Sequence, residues 1–221
     1  MRLVLASASP ARLQLLRSAG VDPLVLVSAV DEPAVVDRYG VQDAEDVCLV
    51  LARAKAEDVA ARLEDVEELG GAGALVVGCD SVLELDGEVH GRPADAAEAA
   101  ARWRRMRGRA GVLHSGHWLV DARPPEDGGS GATLGAVSST TVHFADVDDA
   151  EVDAYVATGE PLRVAGAFTL DGLGAPYVAG VEGEPSAVVG LGLATLRGLL
   201  ADAGVRWSDV RAPHPAATRT S

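Results

Sequence analysis

Short apolar runs alternate with stretches of helical periodicity along most of the chain. Leu-Val-Leu-Ala at 3–6 predicts a first strand, and the apolar spacing after Pro10 predicts a helix that ends near Gly20. Leu-Val-Leu-Val at 24–27 predicts a second strand, and a helix is expected from about residue 43 to 63. Strands that alternate with helices in this way are typical of an α/β fold.

The second half of the chain continues the alternation. The run Leu75–Val77 predicts a buried strand, and the residues on either side of Asp86-Gly87 predict a β-hairpin. Further strands are predicted at 112–120 and 138–144, and further helices at 95–107, at 148–158 and from 191 to about 203. The Gly- and Pro-rich segment 123–135 predicts a surface loop. We expect residues 1–207 to form a single domain and residues 208–221 to form a flexible tail.

Composition narrows the classes of protein that fit. The chain has 221 residues, of which 48% are hydrophobic, so it can bury a sizeable core. Its 33 acidic and 19 basic residues give a net charge of −14, which disfavours binding to a nucleic-acid backbone or an anionic membrane. We find neither a signal-peptide pattern nor a run of about 20 apolar residues, so a cytoplasmic location is expected. Cys48 and Cys79 lack zinc or disulfide spacing and are predicted to be buried.

Asp80 and Arg92 form the first candidate site. Asp80 is predicted to follow the strand at 75–77 at its exit, where open α/β sheets hold ligands. The hairpin then brings Arg92 back towards Asp80. A carboxylate and a guanidinium at one mouth suggest a phosphate bridged by a metal ion, although an ion pair on the sheet edge explains the same residues.

Lys55 is the single lysine among the 19 basic residues, and it lies in a helical stretch. It follows Ala54 at the edge of an apolar stripe that includes Val47 and Leu51, so its ammonium group can reach a cleft beside the sheet. Arginine dominates the rest of the chain, which favours a specific role for this compact charge. An ordinary surface lysine is the alternative.

Two loops that follow predicted strands carry further candidates. Ser7, Ser9 and Arg12 surround a predicted helix N-terminus, which can bind a phosphate, although an ordinary capped helix has the same pattern. Asp31-Glu32 after the second strand can hold a divalent cation, or it can be an acidic loop. His114 and His117 are three residues apart on a predicted strand, so they point to opposite faces and make a poor metal pair.

Several motifs in order resemble those of the Maf family of nucleotide pyrophosphatases. The resemblance extends from Leu3 to about Leu200. The motifs are LASASPAR (5–12), VDE (30–32), LARAKA (51–56), VGCDSV (77–82), DGEVHGRP (86–93), AYVATGEP (154–161), AGAFTLDGLG (165–174) and VVGL (188–191). The resemblance implies an α/β fold with a twisted mixed β-sheet flanked by helices, a cleft between two lobes, and a homodimer.

The resemblance also implies roles for individual residues. Asp80 matches the catalytic carboxylate, Glu32 the second acid and Lys55 a lysine of the cleft. Ser7, Ser9 and Arg12 match the phosphate-binding turn. Asp80 and Glu32 are expected to hold Mg²⁺ or Mn²⁺.

This chain departs from the family pattern at four positions. Ala11 stands where the family has a second arginine, and Arg92 where many members have lysine. Ser81 replaces the usual threonine, and Asp171 replaces the usual glutamine. A carboxylate at 171 can only accept hydrogen bonds, which favours the donor groups of a guanine-type base over a pyrimidine.

The implied activity is hydrolysis of a nucleoside triphosphate between its α and β phosphorus atoms, giving a monophosphate and pyrophosphate. Two alternatives remain open at this point. One is a nucleotide-binding regulator of septum formation that lacks turnover. The departures at Ala11 and Arg92 favour this alternative, whereas the presence of Asp80, Glu32 and Lys55 argues against it. The other is a plain phosphatase that releases orthophosphate.

Overall fold

A seven-stranded mixed sheet organises the chain in the computed structural model, which describes residues 1–212. The strands are β1 (Leu3–Ala6), β2 (Leu24–Val25), β3 (Leu75–Leu85), β4 (Glu88–His90), β5 (Ala110–Asp121), β6 (Thr133–Phe144) and β7 (Val178–Glu182). Their order is β2-β1-β3-β5-β6-β7, and β4 pairs with β3. β1 is parallel to β2 and β3, and the remaining pairs are antiparallel. The structure confirms the α/β class and the mixed sheet.

Helices cover both faces of this sheet. They are α1 (Pro10–Ser18), α2 (Glu32–Tyr39), α3 (Ala44–Ala60), α4 (Ala96–Met106), α5 (Asp149–Ala157), α6 (Pro185–Val189), α7 (Leu193–Asp202) and α8 (Trp207–Val210). α3 packs on one face of β3 and β5, and α1 and α7 contribute to the core on the other face. Within residues 1–212 no helix combines the length and the apolar character needed to cross a bilayer.

The hydrophobic core is divided along the long strands. One cluster surrounds Trp103 and includes residues of α4 and α5, and other clusters lie around β1, α3 and α7. Leu83 of β3 belongs to the cluster around Trp103, whereas Val77 of β3 belongs to the cluster that includes residues of β1 and α7. β3 therefore runs from one half of the molecule to the other, and a cleft opens beside it.

β3 changes its neighbour halfway along its length. Residues 75–78 pair with β1 on one edge, and residues 83–85 pair with β4 on the same edge. Residues 79–82 have no strand registered with them on this edge in the described part of the chain. Asp80 therefore lies in the middle of β3, beside a gap between two neighbouring strands. The prediction that Asp80 follows the end of its strand is wrong, because the antiparallel partner β5 continues along the other edge.

Two glycines let α3 lie directly against the sheet. A Cβ atom on Gly78 would lie 2.1 Å from the carbonyl oxygen of Ala52, and one on Gly116 would lie 2.3 Å from that of Cys48. Neither distance is compatible with a side chain. The absence of side chains at these two positions brings α3, and with it Lys55, close to β3.

Several predicted boundaries differ from the structure. Asp31-Glu32 starts helix α2 and is not a loop, since Asp31 caps the helix by accepting from the Ala34 backbone N–H at 3.1 Å. β7 was not predicted. The tail predicted from residue 208 starts too early, because α8 extends to Val210, which is buried. The remainder of that predicted tail, residues 213–221, lies outside the described residues.

The Arg-rich end of α4 is exposed only in part. Arg104 and Arg105 are 40% and 42% exposed, but the Arg102 side chain is only 4% exposed. Trp103 and Met106 on the same turns belong to the core. The last turns of α4 therefore face the interior of the molecule in part.

Asp121 stabilises the hairpin loop between β5 and β6. Replacing Asp121 by Asn should lower the free energy of unfolding by about 3 kcal/mol at pH 7. The Asp121 carboxylate accepts hydrogen bonds from Arg123 Nε at 2.8 Å and from the backbone N–H and hydroxyl of Ser130 at 2.8 and 2.7 Å. Burial alone would raise the pKa of Asp121, but these bonds hold it well below its usual range. The Asn variant would leave the Arg123 charge, which is only 7% exposed, without its partner.

Because the pKa of Asp121 is lowered in the folded state, its contribution to stability is complete near neutrality and is lost as the pH falls. Urea denaturation of wild type and Asp121→Asn should therefore show a difference that narrows below about pH 4. Glu126→Gln, in the same loop but exposed, is the matched control and should stay within about 0.5 kcal/mol of wild type. Equal stabilities of Asp121→Asn and wild type at pH 7 would contradict this assignment.

Candidate functional site

A cavity of about 810 Å³ opens beside the gap in the sheet edge at β3. Its walls come from both halves of the molecule. All ten residues predicted to form a site line it, namely Ser7, Ser9, Ala11, Arg12, Glu32, Lys55, Asp80, Ser81, Arg92 and Asp171. The structure thus brings together side chains from the turn between β1 and α1, from α1, α2, α3 and β3, from the hairpin return and from the Gly-rich segment.

Lys55 lies between the two acids of this cavity. Its Nζ atom is 2.5 Å from Asp80 Oδ1 and 2.7 Å from Glu32 Oε1. The Lys55 side chain is 10% exposed and the Asp80 side chain 13%, whereas Glu32 is 37% exposed. One ammonium group therefore neutralises a deep carboxylate and a more accessible one, and the expected ion pair between Asp80 and Arg92 is replaced by a pair with Lys55.

The two carboxylates have opposite pKa shifts. Burial raises the pKa of Asp80 above its usual value, and this effect outweighs the nearby charges of Lys55 and Arg12. Burial also acts on Glu32, but its bond to Lys55 and the charges of Lys55, Arg92 and Arg12 lower its pKa on balance. A carboxylate with a raised pKa is suited to accept a proton at neutral pH. The pair therefore combines a carboxylate of increased basicity, Asp80, with one of decreased basicity, Glu32.

The turn before α1 and the first turn of that helix place the Arg12 guanidinium beside Ser81, the residue that follows Asp80. Ser9 caps the helix by accepting from the Arg12 backbone N–H at 3.4 Å, as the sequence predicts. The Arg12 side chain donates to the Gly190 carbonyl at 2.7 Å, to Ser7 Oγ at 3.1 Å and to Ser81 Oγ at 3.4 Å. Three separate segments of the chain therefore fix the direction of this charge towards the cavity.

Position 11 contributes no charge to the cavity. Ala11 lines it beside Arg12, and a methyl group stands where the resemblance implies a second guanidinium. Arg163, which the sequence analysis did not single out, also lines the cavity. Its only sequence signal was its place between two motifs, GEP at 159–161 and AGAF at 165–168. The cavity thus contains a third arginine besides Arg12 and Arg92.

Asp171 lies on a Gly-rich wall that Glu160 holds in place. Glu160 accepts hydrogen bonds from the hydroxyl of Thr169 at 2.5 Å and from the backbone N–H groups of Leu173 and Gly174, both at 3.0 Å. These bonds fix the chain on both sides of Asp171, whose own side chain is exposed. Glu160 was not predicted as a site residue, since the two hydroxyl groups and two backbone N–H groups that bond it form no local sequence pattern.

The two histidines and two cysteines lie elsewhere. His114 bonds Ser139 and Glu84 on the face covered by α3, whereas His117 Nε2 accepts from the Gly192 N–H at 2.7 Å. The prediction that these two histidines point apart is confirmed. Cys48 and Cys79 are both free and buried, also as predicted.

The two acids of the cavity fit a divalent cation that takes its remaining ligands from outside the protein. Lys55 occupies one oxygen of each acid, which leaves Asp80 Oδ2 and Glu32 Oε2. Among residues 1–212 no cluster of three or more His, Cys, Asp or Glu side chains could enclose a metal ion. Mg²⁺ is commonly bound by one or two carboxylates together with phosphate oxygens and waters, and these two acids satisfy that requirement.

Comparison with known proteins gives a consistent picture. A family profile described as "Maf-like protein" matches residues 2–203. A protein of Salinispora tropica named "Nucleoside triphosphate pyrophosphatase" is 54% identical over 220 residues, covering 97% of this chain and 91% of its own length. Proteins with the same name from Leifsonia xyli and Streptomyces coelicolor are 51% and 53% identical. They cover 95% and 96% of this chain, and 96% and 95% of their own lengths.

Proposed function

Because this chain belongs to the Maf-like protein family, we propose that it is a nucleoside triphosphate pyrophosphatase that cleaves between the α and β phosphorus atoms. The products are a nucleoside monophosphate and pyrophosphate. The observation that carries this proposal is the contact of Lys55 with both Asp80 and Glu32 inside a cavity that also contains Arg12. The relatives named as nucleoside triphosphate pyrophosphatases support it over most of the chain.

Asp80 is the base in the proposed mechanism. A water molecule attacks the α phosphorus, its proton passes to the Asp80 carboxylate, and the bond from the α phosphorus to the bridging oxygen breaks. The electron pair of that bond leaves with pyrophosphate. The raised pKa of Asp80 increases its basicity, which favours the transfer.

The basic residues neutralise charge on the phosphates. Arg12 is aimed into the cavity by its three protein contacts, and Lys55 is close enough to Asp80 to act beside the reacting atoms. Arg92 adds a charge from the hairpin return. Asp80 and Glu32 would hold Mg²⁺ or Mn²⁺, which when bound polarises the phosphate and acidifies water. A homodimer and a cytoplasmic location remain predictions from the resemblance and the composition.

The experiment that tests this proposal is product analysis in ¹⁸O-labelled water. Purified protein is incubated with Mg²⁺ or Mn²⁺ and a panel of canonical and modified nucleoside triphosphates, and products are followed by ³¹P NMR and mass spectrometry. We expect pyrophosphate without label and monophosphate with one ¹⁸O atom. Orthophosphate and a nucleoside diphosphate would indicate a plain phosphatase. Nucleotides that bind but stay intact would indicate a regulator without turnover.

Asp171 is expected to set the preference for the base, and Asp171→Gln should shift that preference towards pyrimidines by about 10-fold. A carboxylate offers only acceptors, which match the N–H and NH₂ groups of a guanine-type edge, whereas a glutamine offers a donor and an acceptor and suits uracil or thymine. The measurement is the ratio of kcat/KM for GTP to that for UTP, in which differences in active fraction cancel. An unchanged ratio would show that Asp171 does not read the base.

A further inference from the structure

Arg92 depends on the main chain around it for its position. It lies on the short segment 91–94, which leads from the hairpin into α4, and its side chain is exposed to the cavity. A long, exposed guanidinium has many rotamers, so its reach is set largely by where its backbone is held. The contacts of residues 91–94 therefore decide whether Arg92 can meet a ligand.

A pair of side chains on α4 holds this segment at both ends. Arg102 Nη1 donates to the Gly91 carbonyl at 2.6 Å, immediately before Arg92. Glu98 Oε2 accepts from the Ala94 N–H at 2.8 Å, two residues after Arg92. Arg102 Nη2 also donates to Glu98 Oε1 at 2.6 Å, which joins the two holding groups to each other. Arg92 is thus enclosed between two main-chain contacts from one ion pair.

The burial of Arg102 supports a role beyond general stability. Its side chain is 4% exposed, so its charge is removed from water at a considerable free-energy cost. An apolar side chain at such a position often gives equal or greater stability. The specific gain from the guanidinium is the fixed position of the Gly91 carbonyl. The same carbonyl accepts from the Gly166 N–H at 3.2 Å, which joins the hairpin return to the Gly-rich wall of the cavity.

We infer that Glu98 and Arg102 are positioning residues that hold the Arg92 guanidinium in the cavity that also contains Arg12 and Lys55. The inference rests on the proposed function for the role of Arg92 as a phosphate ligand. Neither Glu98 nor Arg102 lines the cavity. They act through the main chain of residues 91–94.

A double-mutant cycle tests the inference. Arg102→Gln and Arg92→Gln are made singly and together, and two quantities are measured, kcat/KM and the Kd of the α,β-methylene analogue of GTP. In the wild-type background, Arg102→Gln should lower kcat/KM about 10-fold and raise the Kd about 10-fold. A displacement of the Arg92 guanidinium by about 1 Å suffices for such losses. In the Arg92→Gln background the further loss should be less than about twofold, because the group being positioned is absent.

Conservative variants keep the test independent of folding. Arg102→Lys retains the charge but cannot donate to Gly91 and Glu98 in the same fork geometry, so its loss should fall between wild type and Arg102→Gln. The Glu98 side chain is 46% exposed, so Glu98→Gln disturbs the core less. If Arg102→Gln does not fold, Glu98→Gln replaces it in the double-mutant cycle with Arg92→Gln. Arg104→Gln is the matched control, because Arg104 lies on the same helix, is 40% exposed and forms its ion pairs with Asp149 and Asp153 of α5. It should leave both quantities unchanged.

The outcomes separate the inference from the proposed function. An equal loss from Arg102→Gln in both backgrounds would overturn positioning through Arg92 while leaving the pyrophosphatase proposal intact. If Arg92→Gln alone leaves the Kd unchanged, the inference is also overturned. The Kd of the uncleavable analogue does not depend on turnover, so the cycle remains decisive if product analysis shows no pyrophosphate.

Discussion

Replacing Asp80 by Asn is expected to lower kcat by about 10³-fold without lowering the thermal stability of the protein. The amide cannot accept the proton of the attacking water. Lys55 keeps its 2.7 Å contact with Glu32, so its charge is not left alone. Because burial raises the pKa of Asp80, its ionised form costs free energy in the folded state, and the neutral amide removes that cost. Initial rates and melting temperatures of the same preparations check both parts.

The pH profile gives a second check on Asp80. Its carboxylate must be ionised to act as a base, so kcat/KM should fall as the pH drops through its pKa. Since burial raises that pKa, the fall should occur at a higher pH than the value of about 3.9 for an ordinary Asp. Glu84→Gln, on the same strand and face but outside the cavity, is the matched control and should leave kcat within about threefold of wild type. An active Asp80→Asn variant would exclude Asp80 as the base.

Replacing Gly78 by Ala should cost about 3 kcal/mol of unfolding free energy and lower kcat by about 10²-fold. The new methyl group would lie 2.1 Å from the Ala52 carbonyl oxygen and 2.8 Å from the Ala56 backbone nitrogen. Backbone atoms cannot rotate away, so α3 must move off the sheet. Lys55 lies on the same turn of α3 and would move away from Asp80.

A second strand glycine provides the control for Gly78→Ala. Gly180 in β7 has only His143 Cδ2, at 3.8 Å, near the position of an added Cβ atom. Gly180→Ala should therefore stabilise the protein by about 0.5 kcal/mol, the usual gain when Ala replaces Gly within a strand. Denaturant unfolding and steady-state kinetics distinguish the two variants. If Gly78→Ala matched Gly180→Ala in both measurements, the close approach of α3 would not be what places Lys55.

Much of the candidate site could be predicted from the sequence because local sequence patterns mark its residues. Ser9-Pro10 is a strong helix-start signal, and the single lysine stands out against an arginine-rich background. Asp31-Glu32-Pro33 carries the same kind of signal, yet it was interpreted as a loop. The cap at Asp31 and the proline after it were sufficient to predict α2.

Other features depend on contacts between distant parts of the chain and have no local pattern. β3 extends through Gly78 and Asp80 because β5 pairs along its whole length, while the other edge changes from β1 to β4. Neither the composition nor the periodicity of residues 75–85 indicates that the edge partner of β3 changes from β1 to β4. The Gly190 carbonyl that bonds Arg12 is 178 residues away in the chain, and Arg163 gave no pattern that separates it from a surface arginine.

The contacts of Arg12 affect the entropy of ligand binding. A free arginine side chain has about 2 kcal/mol of rotamer entropy to lose when it is immobilised. Here Ser7, Ser81 and Gly190 already restrict it during folding. Arg12 therefore loses little further entropy when an anion binds. Although Ala11 adds no second charge, the preorganised Arg12 guanidinium gives the cavity a higher affinity for an anion than a mobile one would.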